Sequence, residues 1–210
     1  MKIKLCGFTE KESLRVAIEA KCDFIGFVFY EKSPRYITLE SASILAAKIP
    51  ATIAKVAVVV DPDFEFLTKI SQKFSPDFFQ FHGNENVNFL REVRKKFPQI
   101  KIIKAFKINE TEDLEHLKNF EDVADFFLFD GAKPGSGKSF KWEILKNFSS
   151  KKANGRDWFL SGGLNSDNLD EALKITGAKM VDISSGIEKS RGQKSPELIQ
   201  ELMTKVRNVF

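Results

Sequence analysis

The sequence predicts an α/β fold, a single-domain (β/α)8 TIM barrel spanning residues 1–210, and three observations carry that prediction. Eight short apolar runs recur at 3–5, 24–29, 54–60, 78–81, 100–106, 126–129, 158–160 and 180–183. Nearly all of them stop at a polar or Gly-rich junction, and a segment with helical spacing follows each junction. The length of 210 residues suits one compact barrel of this kind, for which ~250 is typical, and no Ser/Gly/Pro-rich or single-sign linker divides the chain.

The first run ends at Cys6-Gly7, and Thr9 with Glu12 has the spacing of a capping box for the helix behind it. The second run ends at residues 30–35, and the third stops at Asp61-Pro62. Both runs lack polar alternation, as expected of parallel strands covered on both faces. His82-Gly83 ends the fourth run and Lys107 the fifth, after which Asn109 and Glu112 repeat the capping-box spacing. The sixth ends at Asp130-Gly131 and leads into a Gly-rich loop. Ser161-Gly162-Gly163 and Ser184-Ser185-Gly186 close the seventh and eighth. Ser195-Pro196 then sets a cap and a first-turn Pro for the last helix. An open doubly wound sheet competes with the barrel, but Cys6-Gly7-Phe8-Thr9 lacks its Gly-rich fingerprint.

With 42% apolar residues a full core is available, and most of the 21 Phe are expected to pack between strands and outer helices. No run approaches the ~18 apolar residues of a membrane span, and the first strand begins too near Met1 to leave room for a signal peptide. A cytoplasmic protein with no membrane partner is expected. Cys6 and Cys22 are then expected to be reduced, Cys22 being structural. Lys and Arg number 33 against 29 Asp and Glu, scattered over helix faces, which argues against a nucleic-acid partner.

In such barrels the chemistry sits at the carboxyl ends of the strands, so the junctions converge on one mouth. Gly162, Gly163 and Gly186 offer bare backbone N–H groups at adjacent strand ends, which suits a ligand phosphate, although tight turns alone would also use them. The segment from Gly131 to Ser139 is not a P-loop: G-x-x-x-x-G-K-[ST] has fewer residues between its glycines than separate Gly131 from Gly137, and Pro134 removes a donor. A Gly-rich lid over the substrate is the reading preferred. Cys6 lies on the same strand face as Lys4 and beside the first helix, two influences that would lower its thiol pKa and make it a base. Asp130 follows an apolar run that would raise its pKa and let it serve as an acid. Arg35 could hold a carboxylate bidentately, at the end of the pocket away from the phosphate. His82 is assigned a modest pocket role and His116 a solvated one; no metal-ligand spacing appears.

Lys4-Leu5-Cys6-Gly7, Lys32-Ser33-Pro34-Arg35-Tyr36, Gln80-Phe81-His82-Gly83, Asp130 with its loop, Ser161-Gly162-Gly163-Leu164 and the block from Asp182 to Glu188 resemble, in order, the signature blocks of the phosphoribosylanthranilate isomerases. Departures stand at Pro134, Lys141 and Ser195. The resemblance implies an Amadori rearrangement in tryptophan biosynthesis, with no metal or organic cofactor. It further implies Asp130 as general acid and Cys6 as general base. Arg35 would hold the substrate carboxylate, Asp182 a polar group of the substrate, and the backbones of Gly162, Gly163, Ser185 and Gly186 its phosphate, while His82 is expected to bind substrate from its place at the end of the fourth run. The partner expected is a small phosphorylated substrate, with a monomer or homodimer left open. The alternative is a sugar-phosphate-binding barrel of other specificity or without catalysis.

Overall fold

The structure, a computed structural model, describes residues 1–131, 141–146, 148 and 157–209. Eight parallel strands close into a barrel in chain order: β1 (Lys2–Cys6), β2 (Phe24–Val28), β3 (Ala54–Val59), β4 (Phe78–Phe81), β5 (Lys101–Lys107), β6 (Phe126–Asp130), β7 (Trp158–Leu160) and β8 (Met180–Ile183). The ring closes where β1 pairs with β8, with Lys2 opposite Met180 and Lys4 opposite Asp182. Each strand coincides with one of the eight apolar runs, within two residues at either end.

Successive side chains alternate between the two faces of the barrel wall. Ile3 and Leu5 point outward into the layer shared with the helices, as do Ile25, Phe27, Phe79 and Phe81. That outer layer is sealed by α1 (Lys11–Glu19), α2 (Leu39–Ala46), α3 (Phe64–Lys73), α4 (Val87–Lys96), α5 (Leu169–Thr176) and α6 (Pro196–Val209). The inward set begins differently from what the Phe content suggested. Phe24, Phe78, Phe126 and Phe159 fill the barrel itself, at or near the starts of their strands. Their ring centroids lie 5.2 to 5.9 Å apart around a closed circuit, in edge-on and tilted contacts. Such pairs contribute about 0.5–1.5 kcal/mol each beyond their burial. An aromatic plug therefore forms the floor on which the polar residues nearer the carboxyl ends rest.

Local signals were kept in some places and displaced in others. Ser195 Oγ accepts from Leu198 N at 3.2 Å, so the cap before Pro196 is present. The Thr9/Glu12 box is not: Glu10 is the N-cap without a side-chain bond, because the Glu12 carboxylate is engaged by Arg15 at 2.7 Å. The Asn109/Glu112 box is shifted by one residue, with Asp113 accepting from Asn109 N at 2.7 Å and Glu110 N at 3.0 Å. The helix it opens, Thr111–Phe120, is a 3-10 helix. Leu114, Leu117 and Phe120 stand three apart and pack toward the core, the spacing that aligns side chains when there are three residues per turn. After β6 only a 3-10 turn, Trp142–Leu145, is described, and Ser185–Ile187 forms another after β8. Behind the latter comes a small antiparallel hairpin, β9 (Glu188–Ser190) and β10 (Gln193–Lys194).

Candidate active site

The carboxyl ends of the strands enclose a pocket of about 350 Å³. Cys6, Arg35, His82, Asp130, Asp182, Gly162, Gly163 and Ser185 all face it. Gly186 does not. A Cβ there would stand 2.8 Å from Asn165 Cα, so this glycine lets the loop after β8 press against the loop after β7. Of the proposed lid, Gly131 to Ser139, all but Gly131 lies outside the described residues.

At the seam between first and last strand, the register that pairs Lys4 with Asp182 also makes their inward side chains meet, Nζ to Oδ1 at 2.8 Å. Both are almost fully buried. Burial pulls the Lys4 ammonium down, but Asp182 and Cys6 more than offset it, so its pKa ends raised. Cys6 sits two residues along the same inner face. Its thiol overturns the expectation of a lowered pKa: burial pushes it up, and Lys4 and Lys194 only partly counter this while Asp182 adds to it. The helix start gives no direct help, because α1 begins five residues later, at Lys11. Room for the thiol comes from Gly26, where a Cβ would stand 2.6 Å from Cys6 Sγ. Gly26→Ala is expected to displace the thiol and lower kcat on the order of 10²-fold, the usual cost of a misplacement near 1 Å; near-normal kcat would show that the thiol's position is not critical.

Cys22 is the contrasting thiol, buried and pushed up to about 12 by that burial, with Asp23 adding to the shift. Because the unfolded thiol ionises near its ordinary 9.0 and the folded one near 12, the stability it contributes is complete below pH 9 and lost as the pH rises toward 12. Urea midpoints should therefore fall across that window, and fall less in Cys22→Ala.

Across the pocket Asp130 Oδ1 accepts from Gly131 N at 2.8 Å, and Oδ2 lies 3.3 Å from His82 Nε2. His82 Nδ1 is 3.1 Å from Gln80 Nε2, a contact that turns the Nε2 of the imidazole toward Asp130. That Nε2 and Gln80 Oε1 are buried without a hydrogen bond among the described residues, leaving both free for a ligand's hydroxyl groups.

The phosphate end is built from backbone. Gly162 and Gly163 adopt φ of 87° and 70°, conformations that favour glycine. Asn168 Nδ2 holds Gly163 O at 2.9 Å, fixing the loop. No hydrogen bond engages the N–H of Gly162, Gly163 or Ser185 among the described residues.

At the far end, Arg35 differs from expectation. Its fork is already taken: Nε donates to Glu188 Oε1 at 2.7 Å and Nη2 to Oε2 at 2.9 Å. A buried guanidinium needs a counter-charge, and the hairpin after β8 supplies it. Lys194 completes this cluster, its Nζ 2.7 Å from Glu188 Oε1 and 2.9 Å from Ser184 O. Burial pulls the Lys194 ammonium down to about 8, with Glu188 acting in the opposite sense. Glu188, Lys194 and Gln80 were not singled out as site residues from the sequence. Gln80 had a signal as the one polar residue in the β4 run FFQF, and Glu188 had one as the end of the last signature block.

Residues 3–205 match the family profile described as N-(5'phosphoribosyl)anthranilate (PRA) isomerase. The chain belongs to this isomerase family. A relative in Zymomonas mobilis subsp. pomaceae, named N-(5'-phosphoribosyl)anthranilate isomerase, is 39% identical over 99% of this chain and 98% of its own. One of the same name in Parvibaculum lavamentivorans is 36% identical over 95% of each. Among solved structures, phosphoribosyl anthranilate isomerase from Thermotoga maritima superposes with a TM-score of 0.89 at 29% identity, each chain covered completely. A phosphoribosyl anthranilate isomerase in complex with reduced 1-(o-carboxyphenylamino)-1-deoxyribulose 5-phosphate gives 0.87 at 28%, again over both whole chains. As a family member, this chain is an enzyme of tryptophan biosynthesis.

Proposed function

We propose that the protein converts N-(5-phosphoribosyl)anthranilate to 1-(2-carboxyphenylamino)-1-deoxyribulose 5-phosphate, with Asp130 as general acid and Cys6 as general base. The observation that carries this reading is the placement of the two groups on one pocket, between a cup of free backbone N–H groups and a buried guanidinium. Those two ends match a substrate with a phosphate at one end and an aromatic carboxylate at the other.

Asp130 gives its proton to the furanose ring oxygen as the anilino nitrogen's lone pair expels it, which opens the sugar to a protonated Schiff base. Cys6 takes the C2′ proton, the electron pair moves to the nitrogen, and the resulting enolamine tautomerises to the ketone. A thiol held high by burial is the stronger base once ionised, and the positive Schiff base, together with Lys4 and Lys194, favours the thiolate when it is needed. His82 and Gln80 supply polar contacts for sugar hydroxyls, as does Asp182 through the carboxylate oxygen that Lys4 leaves free. Gly162, Gly163 and Ser185 receive the phosphate on their N–H groups, while Gly186 serves by letting the two loops approach. The reaction needs no metal or organic cofactor.

The test is a fluorescence assay on freshly generated phosphoribosylanthranilate. Substrate should vanish far faster than it decays alone. A rate equal to spontaneous decay would overturn the assignment and leave a barrel of other specificity.

A further inference from the structure

The hairpin behind β8 carries charges that the acid–base chemistry does not use. Glu188 receives Arg35 along one whole edge of the guanidinium. The same carboxylate accepts from Lys194 Nζ at 2.7 Å and from Gly192 N at 3.1 Å, while Lys194 is tied to Ser184 at the end of β8. Backbone shape closes the arrangement from two more sides. A Cβ on Gly192, at φ 87°, would run into the Pro34 carbonyl oxygen, and one on Gly7, at φ 86°, would stand 2.7 Å from Arg35 Cδ. Arg35 is thus held by its stem, by its chain neighbour and by its guanidinium edge. Only Nη1 carries no hydrogen bond among the described residues, and the residue lines the pocket. Arg35 and Lys194 against Glu188 leave an excess positive charge at this buried end, which calls for an anion from the pocket side.

We propose that Glu188 is a positioning residue for carboxylate recognition: anchored by Lys194 and Gly192, it locks Arg35 so that the substrate's aromatic carboxylate meets one pre-aimed corner of the guanidinium. This rests on the reading that Arg35 holds that carboxylate. Fixing the donor beforehand removes the cost of ordering a long side chain at binding. The other cations on the pocket wall, Lys32, Lys107 and Arg191, are exposed, and none has such a framework among the described residues.

The experiment measures, by calorimetry, the affinity of the reduced product analogue and of the same compound lacking the ring carboxylate, for the wild type, Arg35→Met, Glu188→Gln and the double variant. Wild type should prefer the carboxylated compound by roughly 10- to 100-fold, the worth of a hydrogen bond to a charged group. Glu188→Gln should lose most of that preference while holding the carboxylate-free compound as before, and should add nothing once Arg35 is Met. In turnover its KM should rise proportionally more than its kcat falls. If Glu188→Gln keeps the preference while Arg35→Met loses it, the inference fails and the role of Arg35 stands. If Arg35→Met keeps the preference, both fail, and an exposed cation of the pocket wall, Lys32, Lys107 or Arg191, takes the carboxylate. Should circular dichroism show Glu188→Gln unfolded, Glu188→Asp, which retracts the charge by one methylene, carries the same expected loss.

Discussion

Cys6→Ser and Asp130→Asn are each expected to lower kcat/KM by roughly 10²–10⁴-fold, the contribution typical of a positioned acid or base. Both substitutions nearly conserve volume. Serine keeps an acceptor for Lys4 but has far too high a pKa to ionise and so take up the C2′ proton; asparagine keeps an oxygen for Gly131 N but has no acidic proton to give the ring oxygen. Because acid and base serve successive steps of one reaction, the double variant should fall little below the worse single one. Unaltered thermal unfolding would confirm that only chemistry has been removed. A Cys6→Ser enzyme within about ten-fold of wild type would mean that another group accepts the proton.

Lys4→Met should be the most damaging change to stability. Its ammonium is the counter-charge of Asp182 in a part of the barrel that solvent barely reaches. Removing one member of a buried pair typically costs about 3–5 kcal/mol, since the other is left charged and uncompensated. For a domain of this size that corresponds to a fall in Tm of roughly 6–20 °C. Combining Lys4→Met with Asp182→Leu removes both charges and should recover most of the loss in a thermal melt. Activity should not return with it, because Cys6 would then lack its nearest cation. A single variant as stable as wild type would show that the Lys4–Asp182 pair adds no net stability.

The fold was legible because a parallel barrel writes itself as separate apolar runs, each strand being buried on both faces. The aromatic floor was not. Nothing local distinguishes Phe78, which points into the barrel, from Phe79, which points out; only the register across the ring decides. The site follows the same division. Residues at strand ends could be placed in one mouth by topology alone, and the resemblance to a family supplied their roles. What escaped were long-range charge partnerships, Arg35 with Glu188 being 153 positions apart in the chain and Lys4 with Asp182 178. The thiol pKa was misjudged for a related reason: neighbours in sequence suggested stabilising charge, whereas depth of burial, a property of the closed ring, decides the direction. Capping boxes failed where side chains had better partners, as Glu12 had in Arg15.

The seam has a consequence for how the protein comes into being. The buried ion pair beside the reactive thiol is contributed by the first strand and the last, and Ser184 Oγ even donates to the carbonyl of Cys6 itself, at 2.9 Å. A growing polypeptide therefore exposes β1 as an unpaired edge throughout its synthesis, a surface inviting stray pairing with other chains. It acquires catalytic power only when β8 docks. Fragments ending before that strand should be inert and prone to aggregate, so enzyme activity in a cell extract counts closed rings rather than polypeptides made.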